Sequence, residues 1–125
     1  MSIRVLVVED NEDYRELLNF YLTSRGFEVI IAEDGEKAIE LSDSKKPHII
    51  LMDLNLPNLD GVAATERITE NQSTKHIPII VISANSKSST GEMAVNAGAQ
   101  FCVQKPVDIE SLPELILNYA VNDSA

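Results

Sequence analysis

The chain has 125 residues, of which 44% are hydrophobic and 24% are charged, as expected for one globular domain. Its 20 acidic and 10 basic side chains give a formal net charge of −10, which argues against direct binding to nucleic acid or to an anionic membrane. A single cysteine, Cys102, excludes an internal disulfide, and no apolar stretch is long enough to cross a bilayer. The first residues lack the pattern of a secretory leader, so we expect a cytoplasmic protein.

The first part of the chain alternates short apolar runs with segments of helical spacing. Residues 3–8 (IRVLVV) and 27–32 predict two strands, the first of them buried on both faces. The helix between them should end at Gly26, a suitable left-handed cap, and it is predicted by five residues at helical spacing: Tyr14, Leu17, Leu18, Tyr21 and Leu22. A turn at Asp34-Gly35 should introduce a short second helix.

The same alternation continues through the middle of the chain. Residues 48–52 (HIILM) predict a third strand that delivers Asp53 at its carboxyl end. Asp60 is placed to cap a third helix, and residues 77–83 (IPIIVIS) predict a fourth strand. A fourth helix should then end at Gly98.

A fifth strand over residues 101–104 and a last helix complete the pattern, and the start of that helix is ambiguous. If Ser111 is the N-cap, Pro113 falls in the first turn and Glu114 completes a capping box. If Asp108 is the cap, we expect the helix to be distorted near the proline. Strands that alternate with helices over short connections predict one domain, residues 1–125, with a parallel sheet covered on both faces.

Reactive side chains follow four of the five predicted strands. They are Glu9 and Asp10 after the first, Asp53 after the third, Ser83 at the end of the fourth and Lys105 after the fifth. The carboxyl ends of parallel strands meet at one edge of the sheet, so we expect these groups to converge there. Any one of them alone is better explained as an ordinary turn, strand-end or solvated residue, but the combination favours a functional site.

Carboxylates held about 4 Å apart repel each other by about 4 kcal/mol at an effective dielectric constant near 20, so the cluster needs positive charge. Lys105 supplies one charge and a hard divalent cation, Mg²⁺, can supply the rest, whereas the lack of thiolates and paired imidazoles argues against zinc. This combination is typical of phosphoryl transfer, with Asp53 attacking phosphorus to form an acyl phosphate. Ser83 would donate a hydrogen bond to the phosphoryl group. His48 and His76 are interpreted as structural.

Four segments, VLVVEDNED, ILMDLNLPNLDG, VISA and the lysine-proline pair in CVQKP, resemble the response-regulator receiver family over essentially the whole chain. The resemblance implies a flavodoxin-like, doubly wound fold with five strands in the order 2-1-3-4-5 and five helices. It also implies a sensor histidine kinase or phosphotransfer protein as phosphodonor, and a downstream protein target. With no output domain in the sequence, the signal would leave through a protein-protein contact.

Carried over position by position, the resemblance assigns the site. Asp53 becomes the phosphoacceptor, Ser83 and Lys105 hold the phosphoryl group, and the Mg²⁺ ligands are Asp53, Asp10, Glu9 through a water molecule and Asn55 through its backbone carbonyl. It further implies a cis peptide at Lys105-Pro106. Such a domain is not an enzyme in the usual sense, since it catalyses only its own Mg²⁺-dependent phosphorylation and dephosphorylation.

One position departs from the family pattern. The family commonly has a Tyr or Phe three residues before the lysine, and this chain has Cys102, while Phe101 should point to the opposite face of the strand. We therefore expect the switch to act through the loop after Ser83 and the fourth helix, with Ala84, Cys102 and Pro106 as switch or structural positions.

Four other interpretations remain open. A flavin-binding protein of the same fold would need a glycine-rich phosphate loop where Glu9 to Asp13 stand. An aspartate-dependent phosphatase would need a second carboxylate where Asn55 stands. A receiver-like binding module that is never phosphorylated and a fragment of a larger hybrid kinase are the others.

Overall fold

The computed structural model describes residues 2–54, 56, 60–83 and 94–120. The strands are β1 (Arg4–Val8), β2 (Glu28–Ala32), β3 (Ile49–Asp53), β4 (Ile79–Ser83) and β5 (Phe101–Gln104). The helices are α1 (Glu12–Ser24), α2 (Gly35–Lys45), α3 (Gly61–Glu70), α4, of which residues 94–96 are described, and α5 (Leu112–Tyr119). Every predicted strand is present, and the first four begin one or two residues later than predicted.

The five strands form one parallel sheet in the order β2-β1-β3-β4-β5, which confirms the expected topology. All residues of β3 and β4 are buried, as their continuous apolar sequences require. The register places Met52 beside Val8 and Asp53 beside Ile82. The carboxyl ends of β1, β3 and β4 therefore lie at one edge of the sheet.

Side chains that alternate along each strand fill two apolar layers, one on each face of the sheet. On one face the strands pack against α2, α3 and the described part of α4, with Ala38, Ile68 and Ala94 in the contact. On the other face they pack against α1 and α5, through residues such as Leu18 and Ile116. Helices on both faces confirm the doubly wound arrangement. Among the described residues, none of the helices is long and apolar enough to cross a membrane.

Short polar side chains cap the starts of α1, α2 and α3, and one of these caps, Asp60, is predicted from the sequence. Asp60 caps α3, because its Oδ1 accepts a hydrogen bond of 2.8 Å from the backbone N–H of Ala63. Asn11 and Asp34 cap α1 and α2 in the same way. Gly26 ends α1 with a φ of 93°, which confirms the predicted left-handed cap.

Both residues that the sequence offered as N-caps of the last helix stand at the start of a helical segment. Asp108 caps a 3₁₀ turn (Ile109–Ser111) that leads into α5, whereas Ser111 stands at the N-cap position of α5 itself, with Pro113 in the first turn as predicted for that cap. The alternative capping box of Ser111 with Glu114 is wrong. Ser111 already has helical backbone angles, and its hydroxyl donates to the carbonyl of Asp108 at 2.6 Å instead of capping α5.

Candidate functional site

Three carboxylates meet at the carboxyl edge of the sheet. Glu9 and Asp10 follow β1 and Asp53 ends β3, and one oxygen of each lies within 4.8 Å of the other two. Glu9 and Asp53 are buried, whereas Asp10 is exposed to solvent. The neighbouring positions of β1 and β3 in the sheet bring these acids together, as the sequence predicts. All three groups offer hard oxygen donors, and this donor set fits Mg²⁺.

Lys105 brings a positive charge to the cluster. Its ammonium nitrogen lies 3.3 Å from each carboxylate oxygen of Asp53. The lysine side chain is 32% exposed and that of Asp53 only 3%, so the ion pair is reached from solvent on the lysine side. The backbone N–H of Lys105 donates to the carbonyl of Ser83 at 2.8 Å, and the Lys105-Pro106 peptide is cis, as expected.

Ser83 ends β4 beside the strand that carries Asp53. The side chain is buried, and the carbonyl of its neighbour Ile82 accepts a hydrogen bond of 3.0 Å from the N–H of Leu54. The positions of Ser83 and Asp53 on adjacent strands agree with the prediction that both groups border one site. Two other predicted positions, Asn55 and Ala84, lie outside the described residues.

The close approach of several carboxylates affects the pKa values of the groups in and around the cluster. Burial raises the pKa of Glu9 to about 7, the backbone N–H of Asn11 opposes the rise by donating to its Oε2, and the nearby Asp53 adds to it. Burial, Glu9 and Asp53 also raise the pKa of Tyr14. A cation placed among these carboxylates would offset both the repulsion and the loss of hydration.

Two residues around the cluster, Arg15 and Gly61, were not predicted from the sequence. Arg15 donates from Nη1 to the backbone carbonyls of Glu9 at 3.2 Å and Asp10 at 3.4 Å, which holds the loop that carries both acids. Gly61, the first residue of α3, lies against the backbone of Asp53. In the sequence, the Asp60-Gly61 pair indicated only the start of a helix. The position of Arg15, five residues after Asp10, did not indicate its hydrogen bonds to the loop.

A cleft of about 570 Å³ opens beside the cluster, between α1 and the segment after β5. Its lining consists of Glu9, Asn11, Tyr14, Lys105, Pro106 and Val107. The cleft gives a group outside the protein access to the ammonium of Lys105 and to one of the buried acids.

Cys102 and Phe101 occupy opposite faces of β5, as predicted. Cys102 is half-buried against the layer that contains α3, and burial raises the pKa of its thiol. Phe101 stacks on Tyr119 of α5, with 5.7 Å between the ring centroids and 27° between the ring planes. The aromatic ring next to Cys102 in the sequence is therefore packed away from the face on which Cys102 lies.

Residues 5–117 match the family described as the response regulator receiver domain. The chain belongs to this family. Receiver domains are signalling domains of two-component response regulators. The polar-differentiation response regulator DivK of Brucella anthropi is 30% identical to this receiver domain over 119 residues, which cover 95% of this chain and 97% of DivK. DivK of Brucella ovis is 29% identical over the same length.

Solved structures agree with the family assignment. The receiver domain of the sensor histidine kinase PA1611 from Pseudomonas aeruginosa superimposes with a TM-score of 0.88 at 29% identity, covering 95% of this chain and 98% of that one. That structure has a magnesium ion coordinated in its active-site cleft. The chemotaxis protein CheY4 of Vibrio cholerae also gives a TM-score of 0.88, at 23% identity over 95% of this chain and 99% of that one, and supports the fold alone.

Proposed function

We propose that this receiver domain accepts a phosphoryl group on Asp53 from a sensor histidine kinase or a histidine phosphotransfer protein. The observation that carries the proposal is the contact of a buried Asp53 with Lys105 inside a cluster of carboxylates. An ionised aspartate is already a nucleophile, so the reaction needs no general base.

The transfer is a single displacement at phosphorus. One carboxylate oxygen of Asp53 forms the new bond to phosphorus while the bond to the donor breaks, P–N in a phosphohistidine or P–O in a small acyl phosphate. The ammonium of Lys105 then neutralises oxygens of the transferred group, and Ser83 donates a hydrogen bond to one of them. Hydrolysis of the acyl phosphate by water returns the domain to its resting state.

We propose Mg²⁺ as the cofactor of this step. Asp10 and Asp53 would bind it directly, Glu9 through water, and Asn55 through its backbone carbonyl. Bound Mg²⁺ would neutralise the carboxylates and the incoming phosphoryl oxygens. The oxygens that lie within 4.8 Å of one another in three of these residues support this assignment, as does the magnesium ion in the PA1611 receiver.

The output of the switch is a changed surface for a downstream protein. Because Cys102 replaces the aromatic residue common in the family, the change would pass through the segment that begins at Ala84 and through α4. Pro106 would hold Lys105 in position. We place the domain in the cytoplasm, with residues 1–125 forming the receiver unit and the chemistry limited to its own phosphorylation and dephosphorylation.

Intact-mass spectrometry tests the proposal after incubation with acetyl phosphate and Mg²⁺. The wild type should gain one phosphoryl mass, and Asp53→Asn should gain none. Asp43→Asn is the matched control, since this exposed aspartate pairs with Lys46 away from the cluster and should leave the gain unchanged. A wild type that gains no mass would favour the alternative, a receiver-like binding module that is not phosphorylated.

A further inference from the structure

Gly61 occupies a position with no room for a side chain. A Cβ atom at this residue would lie 2.5 Å from the backbone carbonyl oxygen of Asp53 and 2.7 Å from the Cα of Leu54, with the Leu54 Cδ2 at 3.0 Å. The first two distances are shorter than real Cβ contacts, and both involve backbone atoms that no side-chain rotation can move. The N-terminus of α3 therefore rests directly on the backbone of the proposed phosphoacceptor.

The carboxyl end of β3, on which Gly61 packs, is also held by its pairing with β4. Asp53 is paired with Ile82 of β4, and the N–H of Leu54 donates to the carbonyl of Ile82 at 3.0 Å. The N–H of Gly61 itself contacts the carbonyl of Leu54 at 3.4 Å. Any atom added at Gly61 must therefore displace the end of β3 from β4 or lift α3 from the sheet.

The helix above the contact is anchored as well. The side chain of Asp60 caps its first turn at 2.8 Å, and Ala64 and Ile68 are buried in the apolar layer below it. Lifting α3 would expose these two side chains and open a gap in the layer. Moving the end of β3 would shift the carboxylate that Lys105 contacts. Both displacements are unfavourable in free energy, and moving the end of β3 also changes the geometry of the site.

We propose that Gly61 is a positioning residue for Asp53: its lack of a side chain lets α3 clamp the strand end, which sets the carboxylate relative to Lys105 and the other acids. The inference rests on the proposed function of Asp53. A Cβ needs a shift of at least about 0.5 Å, since 2.5 Å must lengthen to 3.0 Å. A misplacement of about 1 Å can slow a reaction about 100-fold, so we expect Gly61→Ala to slow phosphorylation about tenfold.

Gly98 offers a matched control, because it packs against Thr69 near the other end of α3. A Cβ at Gly98 would lie 2.6 Å from the Cγ2 of Thr69 in α3, and the φ of 119° at Gly98 adds strain. Gly98→Ala should therefore destabilise the domain without moving Asp53. Gly26→Ala is a second control, with a φ of 93° and no atom within 4 Å of the added Cβ.

The test compares the three alanine variants with the wild type in two measurements. The first is the ¹H–¹⁵N spectrum without Mg²⁺ or phosphodonor, which is independent of whether Asp53 is phosphorylated. Gly61→Ala should shift the amide signals of Asp53, Leu54 and Lys105, whereas Gly98→Ala should shift those around Thr69. The second is the rate of phosphorylation by acetyl phosphate with Mg²⁺, corrected for the folded fraction measured by urea unfolding.

A tenfold slower rate confined to Gly61→Ala, together with the shifts near Asp53, supports the positioning role. Unchanged Asp53 and Lys105 signals would overturn it, as would an equal loss of rate in Gly98→Ala. If the wild type itself is not phosphorylated, the proposed function fails, and the spectra alone decide whether Gly61 positions Asp53. The hydroxyl of Thr65 is buried without a hydrogen-bond partner among the described residues, so Thr65→Val should raise the stability of the domain. A Gly61→Ala chain that stays unfolded even in combination with Thr65→Val would overturn the inference, because Gly61 would then serve the whole fold.

Discussion

The ammonium nitrogen of Lys105 lies 3.3 Å from both carboxylate oxygens of Asp53, so one lysine faces the whole carboxylate and not a single oxygen. The residues are 52 positions apart and come together because the ends of β3 and β5 flank the end of β4. This arrangement pairs the buried carboxylate of Asp53 with a cation and leaves the partly exposed lysine open to an incoming anion.

Lys105→Ala should slow the phosphorylation of Asp53 by acetyl phosphate about 100-fold, the usual cost of removing one group that stabilises charge in the transition state. Rates measured by intact-mass spectrometry at saturating Mg²⁺ test this. Lys37→Ala is the control, because that exposed lysine pairs with Glu40 at 3.5 Å away from the site. Equal rates for Lys105→Ala and the wild type would remove Lys105 from the mechanism.

Mg²⁺ should stabilise the folded domain, since the carboxylate cluster is assembled only in the folded state. At a concentration ten times the dissociation constant, the gain in the free energy of unfolding is about 1.4 kcal/mol. Urea unfolding with and without Mg²⁺ measures it. The gain should disappear in Asp10→Asn and persist in Asp13→Asn, which alters an acid of the first turn of α1 outside the cluster. A gain that survives in Asp10→Asn would argue against this metal site.

Thr65→Val should stabilise the domain by about 1 kcal/mol. The hydroxyl of Thr65 is buried in α3 without a hydrogen-bond partner among the described residues, and an unsatisfied buried polar group is unfavourable. Thr74→Val is the matched control and should destabilise the domain, because the buried hydroxyl of Thr74 donates to the carbonyl of Ile68 at 2.7 Å. If urea unfolding shows both variants to be destabilised alike, the hydroxyl of Thr65 has a partner in solution.

The thiol of Cys102 should react slowly with iodoacetamide at pH 8. Burial raises its pKa, so less of it is the reactive thiolate than in an unfolded chain at the same pH. The rate of alkylation, followed by mass, should rise when the protein is unfolded in urea. A rate that is the same in the folded and unfolded protein would show that Cys102 is more exposed than its packing against the apolar layer implies.

The alternation of apolar strands with helices predicts a parallel sheet whose strand ends gather the residues of the site at one edge, because such a pattern admits few arrangements. The order of the strands came only from the resemblance to the receiver family. The start of α5 could not be predicted from the sequence, because both Ser111 and Asp108 satisfy the local rules for an N-cap. The structure shows a 3₁₀ turn that begins after Asp108 and an α-helix that begins after Ser111. The contact of Gly61 with Asp53 was also beyond sequence reasoning, because it depends on how closely α3 approaches the sheet.

The central claim is that Asp53 becomes an acyl phosphate, and borohydride reduction followed by peptide mass spectrometry tests it most directly. The domain is incubated with acetyl phosphate and Mg²⁺ and then treated with borohydride, which converts an aspartyl phosphate into homoserine. We predict homoserine at position 53 and unaltered aspartate at position 10, with no conversion when the phosphodonor is omitted. Homoserine at position 10, or a phosphoryl group that resists borohydride, would contradict the assignment of Asp53 as the phosphoacceptor.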